Sequence, residues 1–179
     1  MVQGVGSREG GQPMMTTDDW EQRIASLWDG LDDLQPGEFR GRMDALAAER
    51  PPGDAAALFE RACANDSTGR PEAAEPLYRE ALAAGLAGIR RRRAVIQLAS
   101  TLRNLGHADE SVALLSAERD AGTDELDDAV TAFLALALTD VGRERDGVGL
   151  ALEALARHLP RYNRSLANYA RELSSSPAS

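Results

Sequence analysis

The sequence predicts an all-α chain in which pairs of helices stack in a line. Three observations predict it. Three segments repeat one pattern: an apolar helix, a glycine turn, and a second helix with small residues on one face. Their turn glycines are Gly69, Gly106 and Gly142, so the steps are 37 and 36 residues. A period between about 20 and 50 residues marks stacked units, none of which can bury its apolar face alone. No stretch alternates apolar and polar residues as a half-buried strand would. Hydrophobic residues make up 43% of the chain and aromatics only 4%, so the core must be Ala, Leu and Val, which suits closely approaching helices. Such an array is built to present a surface, and that favours binding before any single residue is weighed.

The elements follow in order. Residues 1–15 are glycine-rich and predict a disordered tail without the apolar core of a signal peptide. Thr16-Thr17-Asp18-Asp19 supplies a helix start with acidic residues in its first turn. Trp20, Ile24, Leu27, Trp28, Leu31 and Leu34 then recur at helical spacing. Gln35-Pro36-Gly37 predicts a break, followed by a short helix over about Glu38 to Glu49 that carries Phe39, Met43, Leu46 and Ala47. This pair over 16–53 shows the repeat poorly and reads as an atypical capping unit, with Trp20 and Trp28 available either for capping or for self-association. Three repeats are expected over 54–158, with units at about 54–88, 89–124 and 125–158. In the first, Pro71 suits the start of a helix, whereas Pro76 should cost a backbone bond or a kink. Gly85 to Gly88 reads as a loop and Ala117 to Asp128 as a longer acidic connection. Gly147 and Gly149 weaken their helix by about 1 kcal/mol each, unless they let neighbouring helices approach. A capping helix and tail are expected over 159–179. The helix spans Arg161 to Leu173, with Tyr162, Leu166, Tyr169, Ala170 and Leu173 on one face, and the two tyrosines are expected to fill core or groove.

The repeat residues resemble those of the tetratricopeptide repeat family. The first unit fits best through Ala62, Ala74, Tyr78 and Ala81. The second fits through Val95, Leu98, Ala99 and Leu102, with Ser111 acceptable and Glu118 in place of the usual last small residue. The third fits through Leu134, Ala135 and Leu138, with Gly147 and Ala154 as its small residues. The segments Asp66–Arg70, Gln97–Gly106 and Leu159–Tyr162 are also similar to short, stand-alone bacterial proteins of this family, of an actinobacterial type. The resemblance implies a right-handed α-solenoid whose first helices line a concave face. It implies fold and class, and no particular ligand.

Charge is strongly patterned along the chain. Net charge is −9, and all 20 basic residues are arginine. The absence of lysine excludes a Gly-Lys phosphate loop, a Schiff base and a lysine general base. Leu86 to Gly106 holds five arginines and no acid, whereas His107 to Asp146 holds eleven acids and three arginines. Arg93, Gln97, Ser100, Arg103 and Asn104 recur at spacings of three and four and so share one helical face. With Phe59 as an apolar floor, they form the candidate partner-binding site, since forked guanidinium groups grip a carboxylate or phosphate with strength and direction. Equally, these arginines could pair with Glu60, Asp66 or Asp140. The run Arg90 to Arg93 points in several directions around a helix and lacks interleaved aromatics, so nucleic-acid binding is not expected.

Signals for chemistry are poor. His107 and His158 have no second ligand at metal spacing, and His107 reads as a turn residue. Cys63 allows no intrachain disulfide and reads as a small packing residue. Asp66-Ser67-Thr68-Gly69 reads as a turn. The expected function is therefore a non-catalytic, cytoplasmic scaffold without cofactor that binds a protein or peptide, acidic if the arginines grip it. The alternative is a self-associating homodimer whose groove is occupied by its own C-terminal helix. A small-molecule sensor or enzyme accessory is a further reading, and no membrane span is expected.

Overall fold

The computed structural model describes residues 17–175, so the expected N-terminal tail and the last four residues lie outside the described residues. The chain forms helices α1 (Thr17–Asp29), α2 (Pro36–Ala47), α3 (Ala55–Ser67), α4 (Pro71–Ala83), α5 (Gly88–Asn104), α6 (Ala108–Ala121), α7 (Asp127–Asp140), α8 (Glu144–Ala156) and α9 (Asn163–Ser175). A single 3-10 turn, Leu31–Asp33, follows α1. Consecutive helices pack on one another from α1 to α9, and no strand occurs among the described residues. The fold is an all-α helical solenoid.

The three repeats turn by one device. Gly69, Gly106 and Gly142 take φ values of +76°, +86° and +74°. Glycine alone enters that region without a Cβ penalty. In each case the amide after the glycine donates to a carbonyl five residues back: Arg70 to Asn65, His107 to Leu102 and Arg143 to Leu138, at 2.8–2.9 Å. This is the Schellman ending, which satisfies carbonyls that the helix leaves unpaired.

First helices touch first helices. α3 packs on α5 and α5 on α7, while α4 and α6, or α6 and α8, have no comparable packing. The first helices therefore form the shorter, inner wall and the second helices the outer one. At positions 7 residues before each glycine, Ala62, Ala99 and Ala135 are buried and let the units nest.

The local departures from expectation have physical causes. The break before the second helix falls at Gln35, and α2 starts at Pro36, two residues earlier than expected, since the proline's missing N–H costs nothing at the first helical position. α6 runs on to Ala121, so the acidic connection shrinks to residues 122–126. α4 is unbroken at Pro76, which lies on the exposed face, where water can serve the carbonyl it frees. Gly147 and Gly149 do admit neighbours. A Cβ on Gly147 would lie 2.6 Å from the Ala135 carbonyl oxygen of α7, and one on Gly149 would lie 2.9 Å from the Ala170 carbonyl oxygen of α9. Both tryptophans cap the stack. Trp20 is buried and donates to the Leu46 carbonyl at 2.8 Å, and the Trp28 ring lies 5.0 Å from that of Phe39.

Candidate functional site

The arginine run is spent almost entirely on holding the stack together. Arg90 on α5 reaches two earlier helices, pairing with Glu21 of α1 (2.8 Å) and Glu60 of α3 (3.2 Å). Glu60 is buried, and its other carboxylate oxygen accepts from Trp28 Nε1 at 2.8 Å. Arg91 pairs with the buried Glu118 of α6 at 2.6 Å. Arg92 is itself buried and pairs with Asp124 (3.2 Å) and Asp127 (2.8 Å) while donating to the Gly122 carbonyl at 3.1 Å. Glu118 thus stands where a small residue was expected because it meets this cationic pair. Buried charges persist only when matched and hydrogen-bonded in this way.

Arg93 is the exception in the run. Its guanidinium is exposed on the inner wall and lies 5.3 Å over the Phe59 ring, a cation–π contact. No carboxylate lies within ion-pair distance of it among the described residues. Phe59 is fully buried, so it does not form an exposed floor and meets the groove only beneath Arg93. Ser100 is half-buried, and Asn104 is exposed. Gln97 is committed inward, where its Oε1 accepts from Tyr78 Oη at 2.8 Å and from Cys63 Sγ at 2.9 Å. Arg103 is paired with Asp140 of α7. Of the six candidate residues, Arg93, Ser100 and Asn104 remain on the wall, Gln97 and Arg103 serve the fold, and Phe59 lies buried beneath Arg93.

Behind the wall is a polar network that the residue types alone did not disclose. Tyr78, fully buried, shares its one hydroxyl hydrogen between Gln97 (2.8 Å) and Asp66 (3.3 Å), and Thr101 Oγ1 donates to the same Asp66 oxygen at 3.2 Å. Burial pushes the Asp66 carboxyl above its ordinary range, against the opposing hydrogen bonds from Thr101 and Tyr78. Burial likewise drives the Cys63 thiol up to about 12, so it is a packing residue and no nucleophile. A carboxyl raised in the folded state stabilises most below its ordinary pKa, and that contribution is lost as pH rises through the raised value. Asp66→Asn stays neutral and still accepts from Thr101 and Tyr78. The variant should therefore melt above the wild type at neutral pH, and the gap should close near pH 3.8, the ordinary Asp value. A melting difference that does not change with pH would refute this account.

The turn glycines give the register that extends the site. Nine residues before them stand Glu60, Gln97 and Phe133, and six before them stand Cys63, Ser100 and Leu136. Phe133 and Leu136 therefore continue the inner wall beyond Arg93. They were missed because α7 was read only for its core face, although the repeat spacing already located them. In the first unit the same positions are closed over, since Glu60 and Cys63 are buried.

Tyr162 and Tyr169 fill neither core nor groove. They are 77% and 63% exposed, because α9 packs on α8 and has no substantial packing on α3 or α5. His158 Nε2 lies 2.7 Å from Asp128, which also accepts from Arg157. Among the described residues no three metal-ligating side chains cluster, and no helix is long and apolar enough to cross a membrane.

An open cleft of about 780 Å³ lies between the ends of α6 and α8, the start of α7, and α9. It is lined by Arg119, Arg157 and Arg164 together with Asp127 and Glu153, over Leu150 and Ala154. Arg157 is tied to Asp128 there, and Arg92 to Asp127.

Compared with known proteins, the chain matches a family model described as Tetratrico peptide repeat over residues 55–173, a span that takes in α3 through most of α9. Searches of curated proteins and of solved structures gave no match.

Proposed function

For a chain that belongs to the tetratricopeptide repeat family, we propose a non-catalytic module that binds a protein or peptide along the inner wall of α5 and α7. The single observation that carries this reading is Arg93. It is the one member of a four-arginine run without a carboxylate partner among the described residues, and it stands exposed on the wall formed by first helices. Its stacking on Phe59 holds the guanidinium in place, so little side-chain freedom is lost when a ligand carboxylate arrives. Ser100 and Asn104 add neutral hydrogen-bonding groups about two and three turns further along. Phe133 and the half-exposed Leu136 add an apolar neighbour. The segment that fits is acidic at one point and apolar beside it. A chain of net charge −9 repels a uniformly acidic partner at long range, so the local match must supply the recognition.

The test is a binding screen of defined peptides that carry one acidic group next to leucine or phenylalanine. Hits are measured against the wild type, Arg93→Glu and, as an exposed control on α8, Arg145→Glu. A charge-assisted hydrogen bond is worth about 1.5–3 kcal/mol, so Arg93→Glu should weaken binding by about tenfold or more. Arg145→Glu should leave it unchanged. Hits that bind Arg93→Glu as tightly as the wild type, with helicity intact, would exclude this site.

A further inference from the structure

We infer that the C-terminal end of the solenoid is a self-association surface on which a second copy of this chain docks end to end. In units one and two, the forward face of each helix pair is covered by the first helix of the next unit. Ten residues before the turn glycine, Phe59 and Ile96 are 0% and 6% exposed, and nine residues after it Tyr78 and Leu115 are both 0%. The equivalent residues of the third unit, Ala132 and Ala151, are exposed. Around them Leu136, Val148 and Leu155 are 45%, 48% and 49% exposed.

The face is open because α9 does not take the place of a next first helix. It packs on the opposite side of α8, against Gly149. Gly149 and Ala156 are buried, whereas their counterparts Pro76 and Ala83 on α4, and Ala113 and Asp120 on α6, face solvent. The open cleft marks one side of the α8–α9 seam, where Ala167 and Arg164 of α9 meet Glu153 and Arg157 of α8. The other side of α9 carries Leu166, Tyr169 and Leu173, which extend the bare face of α8. Among the described residues the large apolar side chains left most exposed are Ile89, Leu136, Val148, Leu155, Tyr162 and Tyr169, and all but Ile89 lie at this end. An apolar concentration of this kind marks an interaction site.

Three facts select a second copy as the occupant. The face holds no charge at Ala132, Leu136, Val148, Ala151, Leu155 or Tyr169, so two identical faces meet without like-charge contact at their centre. Within the chain, this type of face is buried against the rear of a following unit. The chain's own rear face is already taken, because Ala57 and Ala64 lie under Ile24, Phe39 and Met43 of the N-terminal pair. Of its two ends, a second copy therefore has only the forward one bare, and an end-to-end pairing through it is isologous and closes as a dimer instead of growing into a fibre.

The test is molar mass in solution by light scattering at micromolar concentration, for the full chain and for Leu155→Arg and Val148→Glu. Both substitutions are on exposed positions, and unchanged circular dichroism checks the fold. The wild type should run as a dimer, and each variant should run as a monomer. A second measurement is Ala151→Cys: Ala151 lies in the middle of the bare face, where the two-fold axis of an isologous pair passes and where alone like residues meet, so an intermolecular disulfide should form under mild oxidation. A monomeric wild type, a dimer that survives both charge insertions, or a concentration-dependent polymer would each overturn the inference. None of these readouts depends on the peptide-binding reading of Arg93.

Discussion

Tyr78→Ala is expected to cost about 3–5 kcal/mol of folding stability, the usual range for deleting a large buried aromatic ring. Total stability of a domain is about 5–15 kcal/mol, so the variant should be partly unfolded at moderate denaturant concentrations where the wild type is native. Tyr78 is fully buried, and its ring lies 6.3 Å from that of Phe59. Its hydroxyl also joins Gln97 to Asp66, so truncation removes a wall of the core and a partner of two polar groups at once. Tyr78→Phe separates the two contributions. It keeps the ring and loses only the hydroxyl, while Gln97 retains Cys63 and Asp66 retains Thr101. Its cost should be about 1 kcal/mol, that of one net hydrogen bond. Urea melts of the two variants decide the matter. A Tyr78→Ala variant within 1 kcal/mol of the wild type would mean that the first and second units are not held through this ring.

Gly147→Leu is the second large effect. Glycine inside a helix normally gives away about 1 kcal/mol relative to alanine, so sequence alone argues that any substitution here should help. The geometry reverses the sign. A Cβ at this position would stand 2.6 Å from the Ala135 carbonyl oxygen and 3.4 Å from the Thr139 methyl carbon. The close atom is backbone of another helix and cannot swing aside, so α7 and α8 would have to separate. Overpacking of a well-filled core costs about 1–3 kcal/mol, which outweighs the propensity gain even for alanine, and leucine adds volume with nowhere to go. A chemical melt should place Gly147→Ala below the wild type and Gly147→Leu well below both. Equal or higher stability for the alanine variant would show that the α7–α8 approach is not tight.

Much of the fold was readable in advance because it depends on short-range chemistry. Glycines 36 and 37 residues apart fix the turns, and Ala62, Ala99 and Ala135 fix how closely units nest. What resisted reading was anything decided across units. Arg103 and Arg93 share one helical face and look equivalent in sequence, yet Asp140 of the next unit takes one and leaves the other. Glu118 looked like a misfit on its own helix, and only the arrival of Arg91 and Arg92 from α5 explains it. Tyr169 belongs to a well-formed amphipathic pattern, which specifies that a face exists and says nothing of what covers it. The path of α9 across the back of α8 follows from Gly149 meeting Ala170, a contact between residues that carry almost no side chain to signal it.

Cys63 has a consequence of another kind. It is the chain's single thiol, it is buried between α3 and α5, and its proton is held up to about 12. A maleimide or disulfide reagent can reach it only when those two helices part. The rate at which such a reagent modifies the native chain is therefore a clock for the parting of α3 from α5, read at a thiol the sequence already carries.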